Sequence, residues 1–288
     1  MNNLSYALVG SSGYIAPRHV RAVQDTGGYI NSIIDINFTD ESLKLFPRRV
    51  QKYPDLDTYI KECKVSADYI AICSPNFLHE SQIILALNAG IDVICEKPVA
   101  LSVSGLKKLQ EIEKNSKAVV NTILQLRLHP VITKLKENID SSNSNSFKIT
   151  YVAKRDEQYF KTWKGQENLS GGLITNVGIH YLDLMTYLFG NFLDLKVKIN
   201  EQNRSSGQLT LENCSVDWLF SFHDDDIDSY ISEKNLSYRS IEINGQNVDF
   251  SDVPEDLHTA RYKKIHKGEG FTLYDAQPSI EIIDKINL

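Results

Sequence analysis

The sequence predicts an α/β protein with a doubly wound parallel sheet, followed by an α+β domain whose open sheet is mainly antiparallel. Three observations predict this class. Short apolar runs alternate with amphipathic segments over residues 1–120, and a glycine-bearing turn follows the first run. After that, alternating strand-like runs dominate, with one long helical segment among them. We therefore expect one domain over residues 1–120 and a second over residues 121–288.

The first domain is predicted from strands and helices that follow one another at short spacing. The predicted elements are a strand at 6–9, a helix at about 15–24, strands at 29–34 and 69–73, a helix at about 79–88, a strand at 91–95 and a helix at 104–114. Parallel strands need crossover connections, which are right-handed in nearly all proteins. This alternation favours a parallel sheet with helices on its faces.

The second domain is predicted from runs with strand-like alternation. These runs lie at 147–153, 194–199, 208–211, 215–222 and 238–243, and a helix is predicted at about 172–189. Asn244-Gly245 follows the last run, and this dipeptide is typical of a type I′ hairpin turn. The pattern indicates an antiparallel sheet that carries helices.

Composition and charge narrow the function classes. The chain has 31 Lys and Arg against 37 Asp and Glu, which gives a net charge of −6. Because nucleic-acid binding needs a basic surface, we expect no nucleic-acid partner. No apolar run approaches the roughly 18 residues of a membrane span. The N-terminal residues also lack the basic flank and apolar stretch of a signal peptide, so we expect no membrane association and a cytoplasmic location.

No metal site is expected. The four cysteines form no CxxC pair, so a structural zinc site is disfavoured. The acidic run at 223–228 lacks the glycine-bearing spacing of a calcium loop, and we interpret it as a solvated loop.

A glycine-rich turn after the first strand predicts a dinucleotide site of the Rossmann type. Gly10 and Gly13, followed by Tyr14 and Ile15, match the G-x-G-x-x-G/A pattern when one extra residue is allowed. Such a turn directs backbone N–H groups and a helix N-terminus at a pyrophosphate. Asp35 ends the second strand, where a carboxylate accepts hydrogen bonds from the adenosine ribose. Since no basic residue directly follows Asp35, NAD is favoured over NADP as the cofactor.

Several segments resemble the glucose-fructose oxidoreductase and inositol dehydrogenase family. They are Ser74-Pro75-Asn76 with His79, Glu96-Lys97-Pro98, Leu126-Arg127 with His129-Pro130, Gly171-Gly172 with His180 and Asp183, and His258-Thr259 with Tyr262. Glu-Lys-Pro after a strand is the most specific short signature of that family, and the resemblance covers nearly the whole chain. It implies an NAD-dependent oxidoreductase that acts on a CH–OH group.

Within the family, the chain is most similar to enzymes that oxidise the 3-hydroxyl of UDP-N-acetylglucosaminuronate for bacterial surface-polysaccharide (O-antigen) synthesis. The segments at 13–19, 124–127, 163–165 and 170–172 carry this similarity. It implies a UDP-sugar acid as substrate, an aminotransferase that receives the 3-keto product, and a homo-oligomer, either dimer or tetramer. The sugar epimer stays open, as does reoxidation of bound NADH by 2-oxoglutarate.

Two alternative functions remain. The chain could be a dehydrogenase of the same family that acts on another sugar or polyol, or a non-catalytic nucleotide-binding scaffold. The segments Leu124–Arg127 and Trp163–Gly165 argue against the first alternative. The presence of both Lys97 and His180 argues against the second.

The chemistry of alcohol oxidation identifies two candidate catalytic residues. The reaction needs a base for the hydroxyl proton and a donor that stabilises developing charge on oxygen. Lys97 suits the donor because ligands of open α/β sheets bind beyond the carboxyl ends of strands. His180 suits the base, and Asn176 and Asp183 are predicted to share its helix face. Inositol dehydrogenases have an Asp in place of Asn176, so Lys97 and His180 are the predicted proton-handling pair, with the choice of base left open.

The remaining predictions concern binding. Guanidinium groups match carboxylates and pyrophosphates through paired hydrogen bonds, and aromatic rings can stack on a base or a sugar. The predicted cofactor-binding residues beyond the glycine turn and Asp35 are Ser74, Asn76, His79, Glu96, Lys97, Gln125 and Arg127. The predicted substrate-binding residues are Lys97, Arg127, Arg155, Tyr159, Trp163, Lys164, Asn176 and His180.

Overall fold

The computed structural model describes residues 3–139, 144–231, 236–249 and 256–288. Within them the helices are α1 (Ala16–Asp25), α2 (Asp40–Leu43), α3 (Leu56–Glu62), α4 (Asn76–Asn88), α5 (Val103–Lys114), α6 (Pro130–Asn138), α7 (Glu157–Lys161), α8 (Glu167–Ser170), α9 (Ile179–Phe189), α10 (Asp224–Tyr230), α11 (Leu257–His266) and α12 (Leu273–Ile286). The strands are β1 (Ser5–Val9), β2 (Tyr29–Ile34), β3 (Gln51–Tyr53), β4 (Tyr69–Ile72), β5 (Asp92–Cys95), β6 (Val120–Thr122), β7 (Asn145–Ala153), β8 (Phe192–Glu201), β9 (Arg204–Leu211), β10 (Cys214–Ser221), β11 (Ser237–Ile243) and β12 (Gln246–Asn247).

The chain forms two compact units. The first unit comprises Met1–Ala100, Ser104–Gln125 and Pro254–Ala276, and the second comprises Leu101–Val103, Leu126–Val253 and Gln277–Leu288. This division differs from the predicted boundary after residue 120, because a segment near the C-terminus returns to the first unit.

The first unit contains the predicted doubly wound parallel sheet. Its strand order is β3-β2-β1-β4-β5-β6, and every adjacent pair is parallel. All five residues of β1 are buried, as expected for a central strand covered on both faces. The order reverses between β1 and β4, and the carboxyl ends of strands at such a point form the ligand crevice of open α/β sheets. The sequence pattern does not predict β3 or β6, since each is an edge strand of three residues.

The returning segment explains the different domain boundary. Helix α11 begins after Asp256, whose carboxylate accepts from the backbone N–H groups of His258 and Thr259. Tyr262 and Ile265 then join a core cluster of the first unit that includes Tyr6. The hydroxyl of Thr259 also donates to Asp25 at the end of α1, at 2.8 Å. Burial of the apolar face of α11 therefore places this segment in the first unit, although it lies near the C-terminal end of the sequence.

The second unit contains a six-stranded mixed sheet in the order β12-β11-β7-β10-β9-β8. Only β7 and β10 pair in parallel, and the other neighbours are antiparallel, which confirms the predicted class. Asn244 and Gly245 join β11 to β12 with φ angles of 52° and 75°. Two positive φ angles are what a type I′ turn requires. Among the helices of the described residues, none has the length and apolar character needed to cross a membrane.

Candidate active site

The turn between β1 and α1 has the geometry of a phosphate cradle. Gly10 has a φ of +79°, and a Cβ at this position would lie 2.6 Å from the backbone nitrogen of Ser74. Only glycine allows the two strand ends to approach this closely. Helix α1 has no side-chain cap at Ile15, and the positive end of its dipole favours an anion at this turn. Tyr14 is largely exposed, whereas Ile15 packs against the apolar cluster that contains Leu8.

Asp35 follows β2 and is oriented by the same turn. Its Oδ2 accepts from the backbone N–H of Ser12 at 2.8 Å, and its Oδ1 accepts from the N–H of Asn37 at 3.1 Å. A carboxylate has about four acceptor positions, so both oxygens can still accept from ribose hydroxyl groups. The contact of Asp35 with the adenosine ribose stays a prediction, for which these acceptor positions are suited.

The carboxyl ends of β4 and β5 are joined by a buried histidine. Nδ1 of His79 lies 2.7 Å from the carbonyl oxygen of Pro98, and Nε2 lies 2.8 Å from that of Ser74. Burial lowers the pKa of His79, while the two carbonyl groups act in the opposite direction. The sequence predicts a cofactor contact for this residue, but the structure encloses its ring completely. His79 thus fixes the two strand ends without facing solvent, because both ring nitrogens face backbone carbonyls.

Two other predicted cofactor-binding residues lie between β4 and α4. Asn76, at the start of α4, is buried, and the Ser74 hydroxyl donates to Gln82.

Glu96 and Lys97 follow β5 directly. Lys97 is half-buried, and the peptide bond that joins it to Pro98 is cis. Glu96 is buried, and one of its carboxylate oxygens meets His19 and His258. Glu96 is predicted to bind the cofactor, but these internal partners occupy one of its carboxylate oxygens. The sequence motifs contain both histidines, but no pattern along the chain indicates that they meet Glu96.

Two polar atoms of the first unit test whether this site suits a nicotinamide dinucleotide. Ser11 Oγ in the glycine turn and Gln125 Oε1 after β6 are buried, and neither has a hydrogen-bond partner among the described residues. Buried polar groups are rarely left unsatisfied. Together with the glycine cradle and the position of Asp35 at the end of β2, they fit a dinucleotide bound along the carboxyl ends of the strands.

His180 and Asn176 belong to the second unit and do not share one regular α-helix. Residues Ile174–Gly178 form a π-helical segment, and the α-helix α9 starts at Ile179. His180 is half-buried, and the amide of Asn176 lies 3.4 Å from the hydroxyl of Tyr159. π-Helical segments within helices occur frequently at functional sites.

Asp183 makes a partnership that the sequence does not predict. Its carboxylate receives two hydrogen bonds from Arg127, from Nε at 3.0 Å and from Nη2 at 2.7 Å. Both side chains are buried. Both carboxylate oxygens of Asp183 thus accept from a guanidinium, in addition to the predicted position of Asp183 near His180. The same pair shows that Arg127 is held inside the second unit, with its positive charge balanced.

A second cationic group lies near α7. The Nη2 of Arg155 donates to the hydroxyl of Tyr151 at 3.1 Å, and its guanidinium lies 5.2 Å from the ring centre of Tyr159. Burial and the charge of Arg155 both lower the pKa of Lys164. The Nζ of Lys164 lies 5.9 Å from the ring centre of Trp163. The structure thus brings together four of the predicted substrate-binding residues.

The acidic run at 223–228 has a structural role. His223 caps α10, and the three aspartates that follow it occupy the first helical turn, where negative charge is stabilised by the helix dipole. Asp226 also forms an ion pair with Arg204 at 2.8 Å. The predicted loop is thus a short helix.

The fold and the site define a dinucleotide-binding oxidoreductase with a second α/β domain. The chain belongs to the GFO/IDH/MocA oxidoreductase family, that of glucose-fructose oxidoreductase and inositol dehydrogenase. Residues 4–123 match the family's NAD-binding Rossmann fold, and residues 143–284 match its C-terminal alpha/beta domain. The predicted family, fold class and NAD cofactor are confirmed.

Several relatives are sugar or polyol dehydrogenases. The WlbA (WbpB) dehydrogenase from Thermus thermophilus, crystallised with NAD and UDP-GlcNAcA, is 34% identical with a TM-score of 0.91, over 99% of this chain and 95% of that chain. Myo-inositol 2-dehydrogenase of Thermotoga maritima is 23% identical over 70% of this chain and 60% of its own length. Levoglucosan dehydrogenase of Pseudarthrobacter phenanthrenivorans is 29% identical over 43% of this chain and 33% of its own length. The chain thus spans less than two thirds of these two curated relatives.

Proposed function

We propose that the protein oxidises the 3-hydroxyl of UDP-N-acetylglucosaminuronate to a 3-keto sugar with NAD, in nucleotide-sugar synthesis for bacterial surface polysaccharide. The observation that carries this proposal is the end-to-end similarity to the Thermus thermophilus dehydrogenase crystallised with NAD and UDP-GlcNAcA. The two cations Arg155 and Lys164 of the second unit support this proposal independently, because an uncharged sugar or polyol would need no such pair.

Lys97 and His180 are the proposed proton-handling residues. NAD, when bound, supplies the hydride acceptor for the hydrogen on C3. The ammonium group of Lys97 donates a hydrogen bond to the reacting oxygen and stabilises the charge that develops there. His180 takes the hydroxyl proton as the C–O bond becomes a carbonyl.

Arg155 and Lys164 are the proposed ligands of an anionic group on the substrate. In the part of the chain that the structure describes, Arg155 Nε is buried without a hydrogen-bond partner, and the Nη groups donate to uncharged oxygens of Tyr151 and Lys154. A carboxylate or phosphate would satisfy this N–H and reduce the repulsion between the two cations. The uronate carboxylate is the anion that distinguishes the proposed substrate from UDP-N-acetylglucosamine.

The test compares initial rates of NADH formation with UDP-N-acetylglucosaminuronate and with UDP-N-acetylglucosamine. The uronate should be strongly preferred, because UDP-N-acetylglucosamine lacks the carboxylate that the two cations are proposed to bind. Arg155→Gln should lower kcat/KM for the uronate at least about 10-fold. Lys161→Gln removes an exposed cation of α7 and should change nothing. Comparable kcat/KM for both sugars, or oxidation of neutral polyols alone, would assign the protein to another substrate in the same family.

The variant Lys97→Met tests the proposed catalytic role of Lys97. Turnover should fall by about two orders of magnitude or more, while NAD affinity measured by calorimetry stays nearly unchanged. A variant with normal turnover would remove Lys97 from the mechanism.

Reoxidation of bound NADH by 2-oxoglutarate is a further part of the proposal. It is supported by the Thermus thermophilus dehydrogenase crystallised with NAD and α-ketoglutarate. With 2-oxoglutarate present, the 3-keto product should accumulate beyond one equivalent per enzyme without free NADH. The aminotransferase that receives the product, a homo-oligomer built through the open sheet and a cytoplasmic location remain part of the same proposal.

A further inference from the structure

Glu96 lies directly before Lys97, and three segments of the first unit meet at its carboxylate. The residue is only 7% exposed. His19 on α1 and His258 on α11 both approach Oε1 of Glu96 through their Nε2 atoms, at 3.2 and 2.8 Å. These segments lie far apart in the chain, and they converge on one oxygen atom next to the proposed catalytic lysine.

Glu96 and Tyr262 together determine which nitrogen of His19 carries the proton. The Tyr262 hydroxyl lies 2.8 Å from Nδ1 of His19. The Glu96 carboxylate can only accept, so Nε2 of His19 donates to it, and Nδ1 accepts from the hydroxyl of Tyr262, whose pKa burial raises well above its ordinary value. Burial also lowers the pKa of His19, which keeps its ring neutral. The single proton of the neutral ring is therefore on Nε2 and points at Glu96.

These donors keep Glu96 charged and fixed. Burial alone raises the pKa of Glu96, but the hydrogen bonds from His19 and His258 outweigh it and hold the pKa well below its usual range. A buried carboxylate held by two packed rings has little freedom to move. On the other side of Lys97, the carbonyl oxygen of Pro98 is held by Nδ1 of His79. Lys97 is thus flanked by two anchored neighbours.

A metal ion is the alternative occupant of this group. The donor atoms of His19, Glu96 and His258 lie within 4.8 Å of one another. In the part of the chain that the structure describes, the group supplies three ligands, whereas closed structural zinc sites have four and open sites need access to water. The hydrogen bonds from His19 and His258 already satisfy the carboxylate, so the geometry favours the bonded arrangement without an ion.

We propose that Glu96 is a positioning residue, which His19 and His258 hold so that the backbone places the ammonium group of Lys97 at the reacting oxygen. This rests on the proposed role of Lys97. Loss of the charge or of either donor should let Lys97 move. Electrostatic stabilisation of the transition state depends on the exact position of the donor. A small displacement of Lys97 therefore lowers kcat more than it lowers cofactor affinity.

The first experiment compares Glu96→Gln, His258→Gln and His258→Leu with wild type. The amide introduced by His258→Gln can still donate toward Glu96, whereas the aliphatic side chain introduced by His258→Leu cannot. We expect Glu96→Gln and His258→Leu to lower kcat at least about 10-fold with NAD affinity within about 3-fold of wild type. His258→Gln should recover most of the loss. Arg21→Gln, which removes an exposed cation from the same helix as His19, is the matched control and should behave as wild type.

The second experiment needs neither substrate nor turnover. Acetic anhydride labelling of the protein without NAD, followed by peptide mass spectrometry, measures the reactivity of Lys97 relative to the exposed Lys161. In Glu96→Gln, Lys97 should react several-fold faster, because a side chain whose backbone is no longer anchored moves more and is more accessible to the reagent. Lys161 should not change.

The outcomes separate the two proposals. Unchanged Lys97 labelling in folded Glu96→Gln, or equal kcat in His258→Gln and His258→Leu, overturns the positioning role. If Glu96→Gln does not fold, the two His258 variants decide. One equivalent of metal in the purified protein, lost in His258→Gln, would replace the proposal with a metal site. Lys97→Met could show normal turnover while Glu96→Gln shows altered Lys97 labelling. That result would refute only the catalytic role of Lys97.

Discussion

At the scale of single residues, the partners of the two ring nitrogens decide what each histidine does. His79 faces two carbonyl groups and supports two strand ends. His19 accepts from a hydroxyl and donates to a carboxylate, which gives it a defined tautomer. His180 is half-buried in the second unit, next to a π-helical segment. Of these three, only His180 combines partial exposure with the motif of a proposed base.

His180→Asn tests the proposed base. The variant keeps a polar side chain, so a folded protein that loses about 10² to 10⁴ in kcat indicates general base catalysis. The acidic limb of the profile of kcat/KM against pH should disappear, and the remaining activity should rise with pH. The measurement is made below both melting transitions. If the acidic limb survives unchanged, another group is the base, and Lys97 becomes the candidate.

Asp35 should determine the choice between NAD and NADP. Asp35→Asn keeps the size of the side chain but removes the charge that opposes a 2′-phosphate. We expect wild type to bind NAD much more tightly than NADP in calorimetry, and the variant to show a smaller ratio of the two affinities. Asp40→Asn, at an exposed position at the start of α2, should keep the wild-type ratio. Equal affinities of wild type for both cofactors would contradict the assignment.

At the scale of elements, α9 is held by a buried ion pair that the sequence does not predict. Asp183 lies one turn after His180, and its carboxylate pairs with Arg127 from the 3₁₀ turn Gln125–Leu128. Arg127 also stacks over Tyr187, with 4.9 Å to the ring centre. The pair therefore anchors the helix that carries His180.

Asp183→Asn should destabilise the protein strongly. Removing one partner leaves the buried guanidinium of Arg127 without its counter-charge, which costs about 3–5 kcal/mol in the free energy of unfolding. Urea denaturation measures the change. The double variant Arg127→Met with Asp183→Leu should lose less than the sum of the two single changes, because it leaves no buried charge. Asp217→Asn, which breaks an exposed pair with Lys198, should change stability little, and an equal loss there would contradict this interpretation.

At the scale of the whole molecule, the buried titratable groups predict stability against pH. Burial lowers the pKa of His19 and of His79 below the ordinary value of 6.5. The unfolded chain thus binds more protons than the folded chain below that value, and stability must fall as the pH drops. The depressed pKa of Glu96 adds a further loss, which begins only below its ordinary value of 4.5.

We therefore expect the free energy of unfolding to decrease from about pH 6.5 downward, by up to about 1.4 kcal/mol per pH unit for each buried histidine. Urea unfolding at a series of pH values measures this. His223→Asn, which alters only the cap of α10, should show the same decrease as wild type. A stability that stays constant between about pH 5 and 6.5 would contradict the role of the buried rings.

Local patterns along the chain were sufficient for much of the fold and part of the site. Strand and helix periodicity predicts the central parallel strands, and Asn244-Gly245 predicts the hairpin, because both depend on neighbouring residues. The glycine turn and Asp35 are predictable for the same reason, since their positions follow from the strand ends. Short edge strands such as β3 and β6 are not predictable, because three residues are too few to show a period.

The sequence by itself determined the class of the protein: the alternation of strands and helices, the glycine turn and the Glu-Lys-Pro motif are local and specific. Only the tertiary structure decided the partners of the buried charges. Asp183 selects Arg127, and Glu96 selects His19 and His258, because a charge removed from water must find a compensating group wherever folding brings one within reach. Such partners can be separated by more than a hundred residues, and no periodicity along the chain records them.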